Sequence, residues 1–116
     1  MIKIKIYHNP RCSKSRETLK ILNDRGLNID IVLYMQNKIT KKELKYLIFK
    51  LGISAEELIR KNEKIFKQIK LNDKNLSEEK LINYMLEEPS LIQRPIVEIK
   101  DKVIISRPPE VILDYI

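Results

Sequence analysis

The first 35 residues of this chain change hydrophobic period twice, and that change limits the possible folds more than any other feature. Residues 2–7 alternate apolar and polar side chains with a period of two, the pattern of a half-buried strand. His8-Asn9-Pro10-Arg11 interrupts the alternation with turn residues. From Ser13 to about Asn23 a polar first turn precedes Leu19, Ile21 and Leu22 at helical spacing, and Arg25-Gly26 closes the helix. Residues 29–34 return to β-branched and aromatic strand chemistry. Strand, helix and strand with a crossover of this length predict a parallel βαβ unit.

The middle of the chain reads differently. Thr40-Lys41-Lys42-Glu43 and Ser54-Ala55-Glu56-Glu57 are capping boxes, each with a carboxylate three residues after a hydroxyl. Each also carries a hydrophobic staple, Ile39 with Leu44 and Ile53 with Leu58. Leu44, Leu47, Ile48 and Leu51 continue at helical spacing, and a further helix begins at Ser77 and must stop before Pro89. Residues 40–88 are therefore expected to form a helical insertion within one domain spanning residues 1–116. The end returns to strands, with Ile96–Ile99 and Val103–Ile105 flanking a hairpin turn at residues 100–102. Pro109, suited to a first helical position, opens a last short helix through Val111, Ile112 and Leu113. The fold class expected is α/β.

Composition narrows the function. At 116 residues the chain can bury roughly two-thirds of its unfolded surface, enough for a core without staples. No run approaches the ~18 apolar residues of a membrane span, and the alternating start lacks the apolar block of a signal peptide. A cytoplasmic protein is expected. The formal charge, 23 − 16 = +7, admits nucleic acid, acidic membranes or small anions as partners. The lysines are interspersed with acids along helical segments, as on a solvated face, and the aromatic residues are not interleaved with basic ones as single-strand binding requires. No nucleic-acid or membrane partner is expected.

One cysteine and one histidine sharpen the reading. A single Cys excludes a disulfide framework and a Cys-based zinc site within one chain, so no metal is expected. A reactive Cys12 would need a resolving thiol from outside. Cys12 falls between a strand end and a helix start, where unpaired N–H groups and a partial positive charge lower a thiol pKa and hold oxyanions. Arg11, Lys14 and Arg16 add charge, and Ser13 and Ser15 add hydroxyl donors. The alternative, a small core cysteine, suits this polar neighbourhood poorly. His8 either assists the thiolate or is a hydrogen-bonded structural residue. The chain uses 6 arginines against 17 lysines, 23 in all, so Arg60, Arg94 and Arg107 are candidates for bidentate grip on a tetrahedral anion. Surface ion pairs are the other explanation, weaker for Arg94 and Arg107, which each precede a proline in an extended segment.

The segment from Ile6 to Arg16, Ile6-Tyr7-His8-Asn9-Pro10-Arg11-Cys12-Ser13-Lys14-Ser15-Arg16, resembles the active-site signature of the glutaredoxin-coupled arsenate reductases. The likeness continues through Leu51-Gly52-Ile53, Leu58-Ile59-Arg60-Lys61, Arg94-Pro95-Ile96-Val97 and Arg107-Pro108-Pro109-Glu110-Val111, in order along essentially the whole chain. The resemblance implies a thioredoxin-like, glutaredoxin-type core of mixed sheet, with the helical insertion between the second and third strands. It implies a cis proline at Arg94-Pro95, Cys12 as the nucleophile toward arsenate, and Arg60, Arg94 and Arg107 as ligands of the oxyanion. It also implies that His8 and Ser15 help keep Cys12 ionised. No cofactor is bound on this reading; glutathione is the co-substrate and glutaredoxin the partner. Two other functions stay open. One is a glutathione-dependent oxidoreductase acting on mixed disulfides through Cys12. The other is a thiol-stress transcriptional regulator of the same fold, although Ser15 stands where such regulators place the second cysteine of a Cys-x-x-Cys switch.

Overall fold

The computed structural model describes residues 3–116; the start of the predicted first strand, at Ile2, lies outside them. The period-two segment becomes β1 (Ile4–Tyr7), the polar-to-apolar segment α1 (Ser13–Asp24), and the next apolar run β2 (Ile29–Val32). β1 and β2 pair in parallel, with Ile4 opposite Ile29 and Tyr7 opposite Val32. β2 is shorter than the sequence pattern because Leu33 begins a turn, its carbonyl accepting from Gln36 N and Asn37 N at 3.0 and 2.9 Å. α1 ends as expected at Gly26, whose φ of 65° is left-handed and free of strain only for glycine.

After the helical segment the chain returns as β3 (Ile96–Ile99) and β4 (Lys102–Ile105). The sheet order is β2-β1-β3-β4, with β3 antiparallel to both β1 and β4. This is the mixed sheet of a thioredoxin-like α/β fold. Alternation then decides the core. Ile4 and Ile6 of β1 meet Leu22 of α1, Val97 and Ile99 of β3, and Ile112 near the C-terminus, all buried. Full burial of such side chains stabilises by about 1.5–3 kcal/mol each before entropy is counted. The last short helix, Pro109–Asp114, is 3₁₀ rather than α. Its bonds span three residues, from Val111 N to Pro108 O and from Tyr115 N to Ile112 O. That tighter winding sets Ile112 into the core.

The chain divides into two compact units, one running through Asn37 together with Arg94–Ile116, the other Lys38–Gln93. The second unit holds α2 (Lys41–Leu51), α3 (Ala55–Leu58), α4 (Lys64–Asn72), α5 (Glu78–Glu87) and a 3₁₀ turn at Pro89–Leu91. Both capping boxes form: Thr40 Oγ1 accepts from Glu43 N at 3.1 Å, and Ser54 Oγ from Glu57 N at 3.2 Å. Ser77 caps α5 through Lys80 N. Within this unit Leu44, Leu47, Leu58, Phe66, Leu81, Met85 and Leu91 are buried. The chain after α3 is extended and lies antiparallel to residues 91–93, with Arg60 N donating to Leu91 O at 2.7 Å and Gln93 N to Leu58 O at 2.9 Å. Among the described residues no helix is long and apolar enough to cross a membrane.

Candidate active site

The site grows out of the end of β1. His8 N donates to Val32 O at 2.9 Å and carries the strand ladder one residue past Tyr7. Asn9 then folds the loop onto itself: its side-chain Oδ1 accepts from Arg11 N and its carbonyl from Cys12 N, both at 3.0 Å. The result places Cys12 at the N-cap of α1, with φ −95° and ψ 121°, and the helix ladder starts with Arg16 N donating to Cys12 O. No acidic side chain lies in the first turn. Arg16 Nη1 donates to Pro10 O at 2.9 Å, which adds a positive charge to the loop.

Cys12 is half-buried and makes no conventional cap hydrogen bond as a thiol. Its anion is favoured nevertheless. Partial burial pushes the thiol up, but the Ser15 N–H, the hydrogen bond and charge of the Arg94 guanidinium, and the Lys14 N–H outweigh it. Together they bring the thiol from 9.0 to about 7. Such a group is largely ionised just above neutral pH. Helix terminus and arginine act in the same direction on one sulfur.

The neighbours are ordered by a second network. Ser15 is fully buried, and its Oγ accepts from Asn9 N at 3.1 Å and lies 2.6 Å from His8 Nδ1. With one lone pair taken by Asn9, the serine–histidine bond runs in either direction according to the imidazole tautomer. Burial, with the charge of Arg16 adding to it, holds the His8 pKa below its ordinary value. His8 is therefore neutral where Cys12 titrates, and its Nδ1 is bonded to Ser15.

The two arginine–proline segments lie side by side. Ser106 N donates to Pro95 O at 2.9 Å, and Arg107 Nη1 donates to Arg94 O at 3.1 Å. Both Arg94-Pro95 and Arg107-Pro108 are cis peptides; the family resemblance implied the first, and the second was not read from the sequence. Cys12, His8, Ser15, Arg94 and Arg107 thus belong to one compact unit. Arg60 belongs to the other, in the extended segment after α3, where its Nη1 pairs with Glu63 at 3.2 Å. The sequence marks Asn9 only as a turn residue before a proline, not as the group that orders the loop, and Thr18 and Ser106 carry no local signal. Among the described residues no group of three or more His, Cys, Asp or Glu side chains is arranged to hold a metal ion.

A mixed-sheet α/β protein that presents a lone sulfur at a helix N-terminus beneath a guanidinium is a thioredoxin-like thiol protein. A profile of the ArsC family matches residues 7–115, and this chain belongs to that family. It is 46% identical over 114 residues to a protein of Escherichia coli K12 named only as uncharacterized protein YfgD, covering 97% of this chain and 96% of that one. It is 41% identical over 112 residues to an arsenate reductase of Haemophilus influenzae, covering 96% and 97%. A solved structure of an arsenate reductase from Vibrio cholerae superimposes with a TM-score of 0.92 at 38% identity, covering 99% of this chain and 98% of that one.

Proposed function

We propose that this protein is an arsenate reductase, an oxidoreductase that converts arsenate to arsenite through a covalent adduct on Cys12. The observation that carries the reading is the placement of Cys12 at the N-cap of α1, in a first turn without acids, where the helix N–H groups and the Arg94 guanidinium favour its thiolate. A nucleophile ionised at working pH beside cationic donors is what attack on a tetrahedral oxyanion requires. Relatives of similar length bearing that name, with near-complete overlap, support the choice of oxyanion.

In this mechanism the thiolate attacks arsenic(V) and displaces one oxygen as hydroxide or water, leaving a thiol–arsenic(V) ester. Arg94 and Arg107 neutralise the remaining oxygens; a role for Arg60 in holding the oxyanion rests on the sequence resemblance alone. His8 and Ser15 act by position: the Ser15 hydroxyl, held by Asn9 N and His8, orders the first turn around the sulfur. Glutathione then attacks the adduct, and glutaredoxin takes over the glutathione as a mixed disulfide while arsenic leaves as arsenite. In total two thiols become one disulfide, arsenic gains two electrons, and one oxygen leaves as water. No cofactor stays bound. The reading places the protein in the cytoplasm, where glutathione keeps thiols reduced.

The test is steady-state turnover of arsenate with glutathione and glutaredoxin, against a Cys12→Ser control. Arsenate-dependent disulfide formation that vanishes in the control is the expected outcome, with Arg60→Ala and Arg107→Ala raising KM for arsenate. Turnover of a glutathionylated peptide with none of arsenate would replace this reading with that of a mixed-disulfide oxidoreductase.

A further inference from the structure

We infer that Thr18 and Ser106 are positioning residues of this active site, their buried hydroxyl relay fixing the segment that bears Arg107 and steadies Arg94 in register with the helix that presents Cys12. The inference rests on the proposed roles of Cys12, Arg94 and Arg107. Thr18 lies on α1 and Ser106 just after β4, 88 positions apart, and both are fully buried. Thr18 Oγ1 lies 3.2 Å from Ser106 Oγ, and Ser106 Oγ lies 3.1 Å from Pro109 O. Thr18 Oγ1 is also 3.0 Å from Lys14 O. Each hydroxyl has one proton to give, so the Thr18–Ser106 bond forms in one of two orders. Thr18 donates to Ser106 and Ser106 to Pro109 O, or Ser106 donates to Thr18 and Thr18 to Lys14 O; both tie α1 to the segment after β4.

Packing alone does not require these hydroxyls. Valine and alanine would occupy the same places beside an apolar core with no polar atom to satisfy. Two buried hydroxyls that bond one another favour one alignment of the elements carrying them, because a slip breaks that bond and leaves each with only its local carbonyl, Lys14 O or Pro109 O. That alignment is passed on directly. The Ser106 amide is bonded to Pro95 O, and the next residue, Arg107, is bonded to Arg94 O. Arg94 in turn reaches the Cys12 sulfur. The chain of contacts therefore leaves α1 at Thr18 and returns to its first turn at Cys12.

The full chain carrying Thr18→Val or Ser106→Ala tests this. Three readouts apply: pH titration of thiolate absorbance, alkylation rate by iodoacetamide near neutral pH, and KM and kcat for arsenate. The thiol midpoint is expected to rise by about half a unit, slowing alkylation about twofold at neutral pH. KM should rise by more than kcat falls. Thr18→Ser, which keeps the hydroxyl, should restore all three, and the double variant should be no worse than the more affected single one. Folded variants that titrate, alkylate and bind arsenate like the wild type would reduce the pair to a structural contact and overturn the inference. Should Thr18→Val fail to fold, Ser106→Ala decides alone, since it leaves α1 untouched. The first two readouts involve no arsenate. A wild-type chain inert toward arsenate would sink the proposed reaction while they still judge the relay.

Discussion

The N-terminus of α1 and the N-termini of α2 and α3 solve the same problem in opposite ways. Every helix begins with N–H groups that have no partner inside the helix. At α2 and α3 the chain supplies partners of its own, Thr40 with Glu43 and Ser54 with Glu57, and Glu78 Oε1 accepts from Ala55 N at 2.8 Å as well. At α1 the cap position holds Cys12, no cap bond is made, and the first turn has no acid. Two helix starts are saturated for stability; the third is left open to an anion. The thiolate is the first anion to use it, and in the proposed reaction an oxyanion follows.

The largest effect should come from making the open terminus resemble the closed ones. Cys12→Asp supplies a strong cap but no nucleophile, so arsenate turnover should fall by at least about a thousandfold. Thermal stability should hold or rise, by up to ~1 kcal/mol, as the new carboxylate caps α1. A variant that is both inactive and clearly destabilised would mean that the cysteine is there for packing.

Next in size is removal of the arginine that separates this terminus from an ordinary one. Arg94→Gln should raise the Cys12 midpoint by about one unit from its value near 7, and slow alkylation at neutral pH by about fivefold. An unchanged titration would leave the helix alone responsible for the acidity.

The converse experiment breaks a closed terminus. Thr40→Ala should cost about 1 kcal/mol in denaturant unfolding while leaving the thiol titration unmoved. A thiol that responded would show that the two kinds of terminus are not independent.

The smallest effect is on stability against pH. The native thiol, at about 7, releases its proton before an unfolded one at 9.0, so the unfolded chain holds more protons between these values. Stability should therefore rise as pH climbs through that window, and Cys12→Ser should flatten the rise. Solvent screening around a half-exposed sulfur keeps the amplitude small. A fall in stability across the same window would reverse the assigned direction of the shift.

The comparison also explains what could be read from the sequence. α2, α3 and α5 announce themselves through Thr40, Ser54 and Ser77, local signals that need only a few residues. α4 was not separated from its surroundings, because Glu63 at its N-cap makes no side-chain cap bond and instead pairs with Arg60. The strands and α1 were legible from period alone. Cys12 and the arginines stood out by rarity and by resemblance, but their arrangement did not. The Arg107 bond to Arg94 O spans 13 positions and the Thr18 bond to Ser106 spans 88. Pairings of that kind are products of the completed fold, and a residue such as Ser106 has nothing nearby to mark it.

With one cysteine in the chain, Cys12 has no intramolecular thiol able to clear the adduct of the proposed reaction. Regeneration is therefore second order: it depends on how often an outside donor collides with the spent sulfur and on how concentrated that donor is. When donor runs short, the protein stalls as a long-lived conjugate with no internal ring to close. In the proposed reaction the supply of small thiols then governs throughput, whatever the speed of the first chemical step.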